Sequence, residues 1–202
     1  MTHTSMAGRT GAEAAQSGDC RQLAGHHPVL RSNGLYVYAK QRHPSDIGKT
    51  YYVCTGHGNV HVLPGQDGGD TQFPGAFAAR DNWLAYAVSD EEAAATIDPS
   101  YIYEIKATTG KRVVTQAFAW PDENVQASVE VLHIVVAPNR SIAWLAHLTG
   151  HNAYAVERIG ADGTRSHLAS GQNFDRHSLR TSPHGTTVSW IQNGQGASAP
   201  LA

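Results

Sequence analysis

The chain has 202 residues, of which 41% are hydrophobic and only 16% charged, with 15 Lys and Arg against 17 Asp and Glu. That length suits one all-β domain with a proper core, and a near-neutral balance with no basic run lacks the electrostatic footprint of a nucleic-acid binder. No transmembrane segment is expected, since every apolar run is of strand length, far below the roughly 20 residues a spanning helix needs.

Residues 1–19 are small and polar and are read as a flexible N-terminal segment, leaving 20–202 as a single domain. They hold no apolar stretch of the roughly 7 to 15 residues that a secretory signal requires. Cys20 and Cys54 pull the other way. A bridge between them would close a loop of about 35 residues, worth roughly 3 to 4 kcal/mol in the chain-entropy model, and would imply an extracytoplasmic location. Two unrelated buried thiols are the alternative.

Strands then follow one another, punctuated by Gly, Pro, Asn and Asp. The first unit has strands at 27–31, 35–39, 50–54 and 60–63. The second has them at 76–79, 83–88, 101–106 and 113–117, and the third at 131–136, 141–147, 153–159 and 165–169. A fourth unit ends the chain with three, at 177–181, 186–191 and 197–201. Aligning the second strand of each unit places Tyr38, Tyr86, Trp144 and Trp190 at one position, recurring after 48, 58 and 46 residues. Strand side chains alternate, so Val37, Ala85, Ala143 and Ser189 form the opposite, smaller face. Sheets apolar on both faces must be packed between others, and a period near 40 to 50 residues fits about four stacked four-stranded antiparallel sheets in a small propeller-like array. Residues 20–24 are the candidate strand to complete the last sheet and close the array.

The run Pro138-Asn139-Arg140-Ser141-Ile142-Ala143-Trp144, followed by 153–165 ending in Gly160-Ala161-Asp162-Gly163-Thr164-Arg165, resembles the repeat of TolB-like, WD40-like propellers. Ser182-Pro183-His184-Gly185 is similar to that family's Ser-Pro-Asp-Gly turn, with His184 in place of Asp. The resemblance covers about residues 25–201 at the level of repeat geometry. It implies a binding or scaffold role, often extracytoplasmic, and carries over no catalytic residue.

Connections alternate between tight turns and longer segments, and the longer ones must emerge at one rim. Segments 41–50, 64–75, 89–100, 118–130, 148–152 and 170–176 carry a net −8, against −2 for the whole chain. An acidic loop face and a comparatively basic opposite rim are therefore expected. The candidate partner-binding residues are Asp90, Glu91, Glu92, Asp122 and Glu123, with Trp120 as an aromatic anchor. No nucleotide loop, nucleophile elbow or metalloprotease helix motif occurs. The 12 His do not fall at strand spacings that share a metal, so neither metal nor cofactor is expected. The reading is a non-catalytic binding module for a protein or peptide partner. Its alternative is a hydrolase or lyase with a site at the propeller axis. Oligomeric state is not legible.

Overall fold

The computed structural model describes residues 28–41, 49–55, 58, 60–63, 74–89, 100–117, 128–149 and 152–201. They form fifteen strands in four antiparallel sheets. The first sheet holds β1 (Pro28–Ser32), β2 (Leu35–Gln41), β3 (Lys49–Thr55) and β4 (Val60–Val62). The second holds β5 (Pro74–Arg80), β6 (Trp83–Ser89), β7 (Ser100–Lys106) and β8 (Lys111–Gln116). β9 (Val129–Val136), β10 (Ile142–Leu148), β11 (Ala153–Ile159) and β12 (Arg165–Gly171) make the third. The fourth has three strands, β13 (Arg180–Thr181), β14 (Thr187–Gln192) and β15 (Gln195–Pro200). Within every sheet, spatial order follows chain order.

Turn chemistry explains why the chain reverses where it does. Asn33-Gly34 and Asn193-Gly194 both have positive φ at both residues, the backbone that a two-residue hairpin requires and that Asn and Gly adopt at little cost. Gly185, at φ 68°, also lies where a Cβ would stand 2.1 Å from Pro138 Cδ, so the turn before β14 seats directly on the turn before β10.

The sheets stack in order, and the alternation of large and small faces decides how. Leu35, Val37 and Val53 of the first sheet pack on Leu84, Tyr86 and Val88 of the second. Ala85, Ala87 and Ile102 on the other face of the second meet Ile142, Trp144 and Ala146 of the third. Ala143, Leu145 and Val156 then pack on Leu179, Val188 and Trp190 of the fourth. Tyr86, Trp144 and Trp190 thus face the preceding sheet and Val37, Ala85 and Ala143 the next, while Tyr38 lies on the other face of the first sheet with Cys54 and Val60. Val37, Ala85 and Ala143 are wholly buried; the equivalent Ser189 is exposed, beside Thr187 and Ile191. Among the described residues no hydrophobic cluster joins the fourth sheet to the first. The expected closing strand, 20–24, lies outside the described residues, as does the 1–19 segment.

Strand boundaries differ from expectation mainly in the fourth unit. The strand expected at 177–181 is only β13, because Asp175 captures the chain first. Its Oδ1 accepts from the His177 N–H at 3.0 Å and its carbonyl from the Ser178 N–H at 3.1 Å, turning those residues out of the ladder. β15 starts at Gln195 rather than 197, since the turn needs only two residues.

Candidate functional site at the loop rim

Each strand crosses its sheet once, which sorts the polar residues between two rims. Toward both rims they hold the sheets together. Ala117, after β8, offers its carbonyl to two donors from the third sheet, Trp144 Nε1 at 2.7 Å and Arg165 Nη2 at 3.0 Å. Arg165 is aimed by the buried Glu157, whose Oε2 accepts from Arg165 Nε at 3.1 Å while Oε1 lies 2.6 Å from His167 Nδ1. The guanidinium also rests over the Trp144 ring, 5.6 Å from its centroid. Nearby, Glu104 faces the third sheet and meets Arg140 Nε at 3.5 Å, with Arg140 stacked 3.9 Å over Trp83. Burial pushes the Glu104 carboxyl up, and the Arg140 charge only partly opposes it. Glu104 thus joins the second sheet to the turn before β10, while Glu157 holds Arg165 and His167 within the third sheet; the tight-turn rim also carries Arg31, Arg80, Lys106, Lys111, Arg112 and Arg158, with Asp81 and Asp162.

The other rim receives the longer connections. β6 ends at Ser89 and β7 begins at Ser100, and β8 ends and β9 begins around 118–127, so all four attachment points lie at one end of the second and third sheets. The six expected binding residues, Asp90, Glu91, Glu92, Trp120, Asp122 and Glu123, belong to these connections and lie outside the described residues. Cys20 does too, whereas Cys54 is wholly buried on β3 among Tyr38 and Val60.

What the structure adds at this rim is a group that the sequence reading missed. Glu130 on β9 lies directly opposite His147 on β10, which lies opposite Tyr154 on β11. Glu130 Oε2 is 3.7 Å from His147 Nδ1, too long for a hydrogen bond, and accepts from Arg176 Nη2 at 3.2 Å. His147 stacks on Tyr154 at 4.6 Å, and Tyr154 meets Phe174 in a tilted contact at 5.9 Å, tying the third sheet to the connection that enters the fourth. β9 is also among the innermost strands, packing along β5 on one side and β13 on the other. His133, three residues further along β9 and past the register shift, lies opposite Leu145 on the face toward the fourth sheet and is half-buried. Among the described residues no three His, Cys, Asp or Glu side chains converge as a metal-holding group.

Four sequential antiparallel sheets stacked face to face, with their first strands innermost, define a β-propeller-type array. Comparison with known proteins agrees at the level of fold. No family model matches the chain, and neither does any curated protein. Among solved structures, Porphyromonas gingivalis dipeptidyl peptidase 4 is similar, with a TM-score of 0.56, 9% identity, and coverage of 79% of this chain and 28% of that one. A Trypanosoma rangeli sialidase, in complex with 2,3-difluorosialic acid as a covalent intermediate, aligns at 0.47 and 11% identity, covering 79% and 32%. The chain thus spans about a third or less of the length of these structures.

Proposed function

We propose that the chain is a non-catalytic binding module that recognises a basic protein or peptide partner through its loop rim. The observation that supports this is the division of labour between the rims. The buried carboxylates toward the tight-turn end are spent on contacts inside the fold, Glu104 with Arg140 of the next sheet and Glu157 with Arg165 of its own. The acidic connections all attach to the far end of rigidly stacked sheets, where binding residues are commonly carried. Neutralising Asp90, Glu91, Glu92, Asp122 and Glu123 to Asn and Gln, or replacing Trp120 with Ala, is expected to weaken partner capture at least about tenfold, as hot-spot losses do. Unchanged capture would remove the assignment.

A hydrolase or lyase at the axis is the second reading, and one observation favours it: Glu130 and His147 stand 3.7 Å apart beside an innermost strand. Turnover of ester, peptide or glycoside substrates that is lost in Glu130→Gln would support it over the binding role.

The proposal extends to Cys20 and Cys54 as a disulfide in an extracytoplasmic protein. Alkylation of the denatured chain is expected to add two groups only after reduction. Full labelling without reductant would contradict the bridge and the location together.

A further inference from the structure

β8 is the outer edge of the second sheet, and it differs from the outer edges of the other three. β4 has three residues, β12 pairs with β11 through a register shift, and β15 carries no large apolar side chain and ends at Pro200. Short, bulged or proline-ended edges resist further pairing. β8 runs for six residues, Lys111–Gln116, in unbroken register with β7. Val113 and Val114, each 46% exposed, are the one adjacent pair of exposed large apolar side chains among the described residues. Val114 stands opposite Tyr103, at the end of the row of rings Phe77, Tyr86 and Tyr103 that crosses the sheet. The phase of the ladder is set by the Ala117 N–H, which donates to the Ser100 carbonyl. By alternation Val113 and Thr115 turn N–H and C=O toward β7, while Arg112, Val114 and Gln116 turn theirs outward, where no described residue meets them.

We infer that β8 is a self-association surface, on which β8 of a second copy of this chain pairs antiparallel about a two-fold axis at Val114. That register sets Val114 against Val114 and Arg112 against Gln116, so every outward N–H and C=O of these residues gains a partner. On the other face it sets Val113 against Thr115, a β-branched pair, and both exposed valines are covered. Centring the pair on Val113 or Thr115 would engage fewer of the outward groups. Centring it on Arg112 would bring two guanidiniums face to face. Charge therefore selects the register as hydrogen bonding does. The two Arg112 then stand four residues apart along the joined strands, about 13 Å, beyond the screening length of about 8 Å at physiological salt. This surface lies on the outer edge of the second sheet, so the inference goes beyond the loop-rim reading and does not depend on it.

The test is sedimentation of the full chain from about 10 μM to about 1 mM, a range suited to the weak association that one strand pair supports. A shift from monomer to dimer with concentration is expected. Val114→Lys sets like charges together on the two-fold axis and should weaken association at least about tenfold, as should Val114→Glu. An equimolar mixture of the two variants should recover it, because residue 114 faces its own copy in this register alone. Val114 is exposed, so these changes spare the core. Amide exchange of the unaltered chain gives an independent reading: the Arg112, Val114 and Gln116 amides should exchange more slowly as concentration rises. A chain that stays monomeric throughout, dimers that survive Val114→Lys, or a mixture no tighter than either variant alone would overturn the inference. Protection of those amides in a monomer, by another segment of the chain or by a foreign peptide, would overturn it as well. Partner capture that is lost on neutralising the acidic connections but kept in Val114→Lys separates this inference from the loop-rim reading.

Discussion

Trp144 and Arg165 meet at the single carbonyl of Ala117, and this is where individual residues contribute most visibly to the stacking of the sheets. The tryptophan supplies bulk and an N–H; Arg165 supplies a second donor whose direction is set by Glu157. Trp144→Phe keeps much of the volume and removes one hydrogen bond, so a loss of about 1 kcal/mol is expected. Glu157→Gln leaves Arg165 a partly buried cation without its carboxylate. Because Arg165 retains some solvent, the expected loss is roughly 1 to 3 kcal/mol, below that of a fully buried pair. Thermal denaturation reads both, at about 2 to 4 °C per kcal/mol for a chain of this size. An unshifted midpoint for Glu157→Gln would mean that the ion pair is not what fixes the third sheet on the second. The aromatic at this position was legible from the sequence through its recurrence, but its hydrogen bond to the preceding sheet was not, because that partner is a backbone carbonyl 27 residues away.

At the scale of elements, hairpins were legible where local chemistry dictates the backbone. Asn33-Gly34 and Asn193-Gly194 reverse the chain because few other residue pairs tolerate two positive φ values. Pairing across a bulge was not legible. Counting back from the turn at Pro138–Arg140, regular pairing places Val131 opposite His147; the register shift between Leu145 and Ala146 puts Glu130 there instead. The Glu130, His147 and Arg176 group was invisible in the sequence for that reason. By contrast, Glu157 and His167 pair across a hairpin with no slip between them and the turn, so their meeting could have been read from spacing alone. The short β13 was misjudged because an Asp side chain competes locally with the ladder, a contest decided by tertiary packing rather than propensity.

Across the whole molecule, stability should respond to pH through the groups that burial perturbs. His61 and His133 are both held below the usual histidine range, chiefly by burial. The unfolded chain therefore binds their protons more readily, and stability falls as pH drops below about 6.5. Glu104 acts in the opposite sense. Its raised carboxyl contributes stability that is complete below the ordinary glutamate range and is lost as pH rises through its folded value. The midpoint of thermal unfolding should thus decline from about pH 6.5 downward, and His61→Gln should make that decline shallower. A variant with the same acid limb as the parent would rule out His61 as a cause. The stacking order was legible because the large and small faces repeat; the exposure of Thr187, Ser189 and Ile191 on the fourth sheet was not, although Ser189 stands where the other sheets have Val or Ala. The assignment of one rim to binding remains the claim on which the account turns. The most direct measurement compares partner capture by three immobilised proteins: the parent, the loop-rim variant with Asp90, Glu91, Glu92, Asp122 and Glu123 neutralised, and a variant with Lys111 and Arg112 neutralised at the tight-turn rim. The account predicts that a partner held by the parent is lost only from the loop-rim variant; retention there, or loss from the tight-turn variant alone, would contradict it.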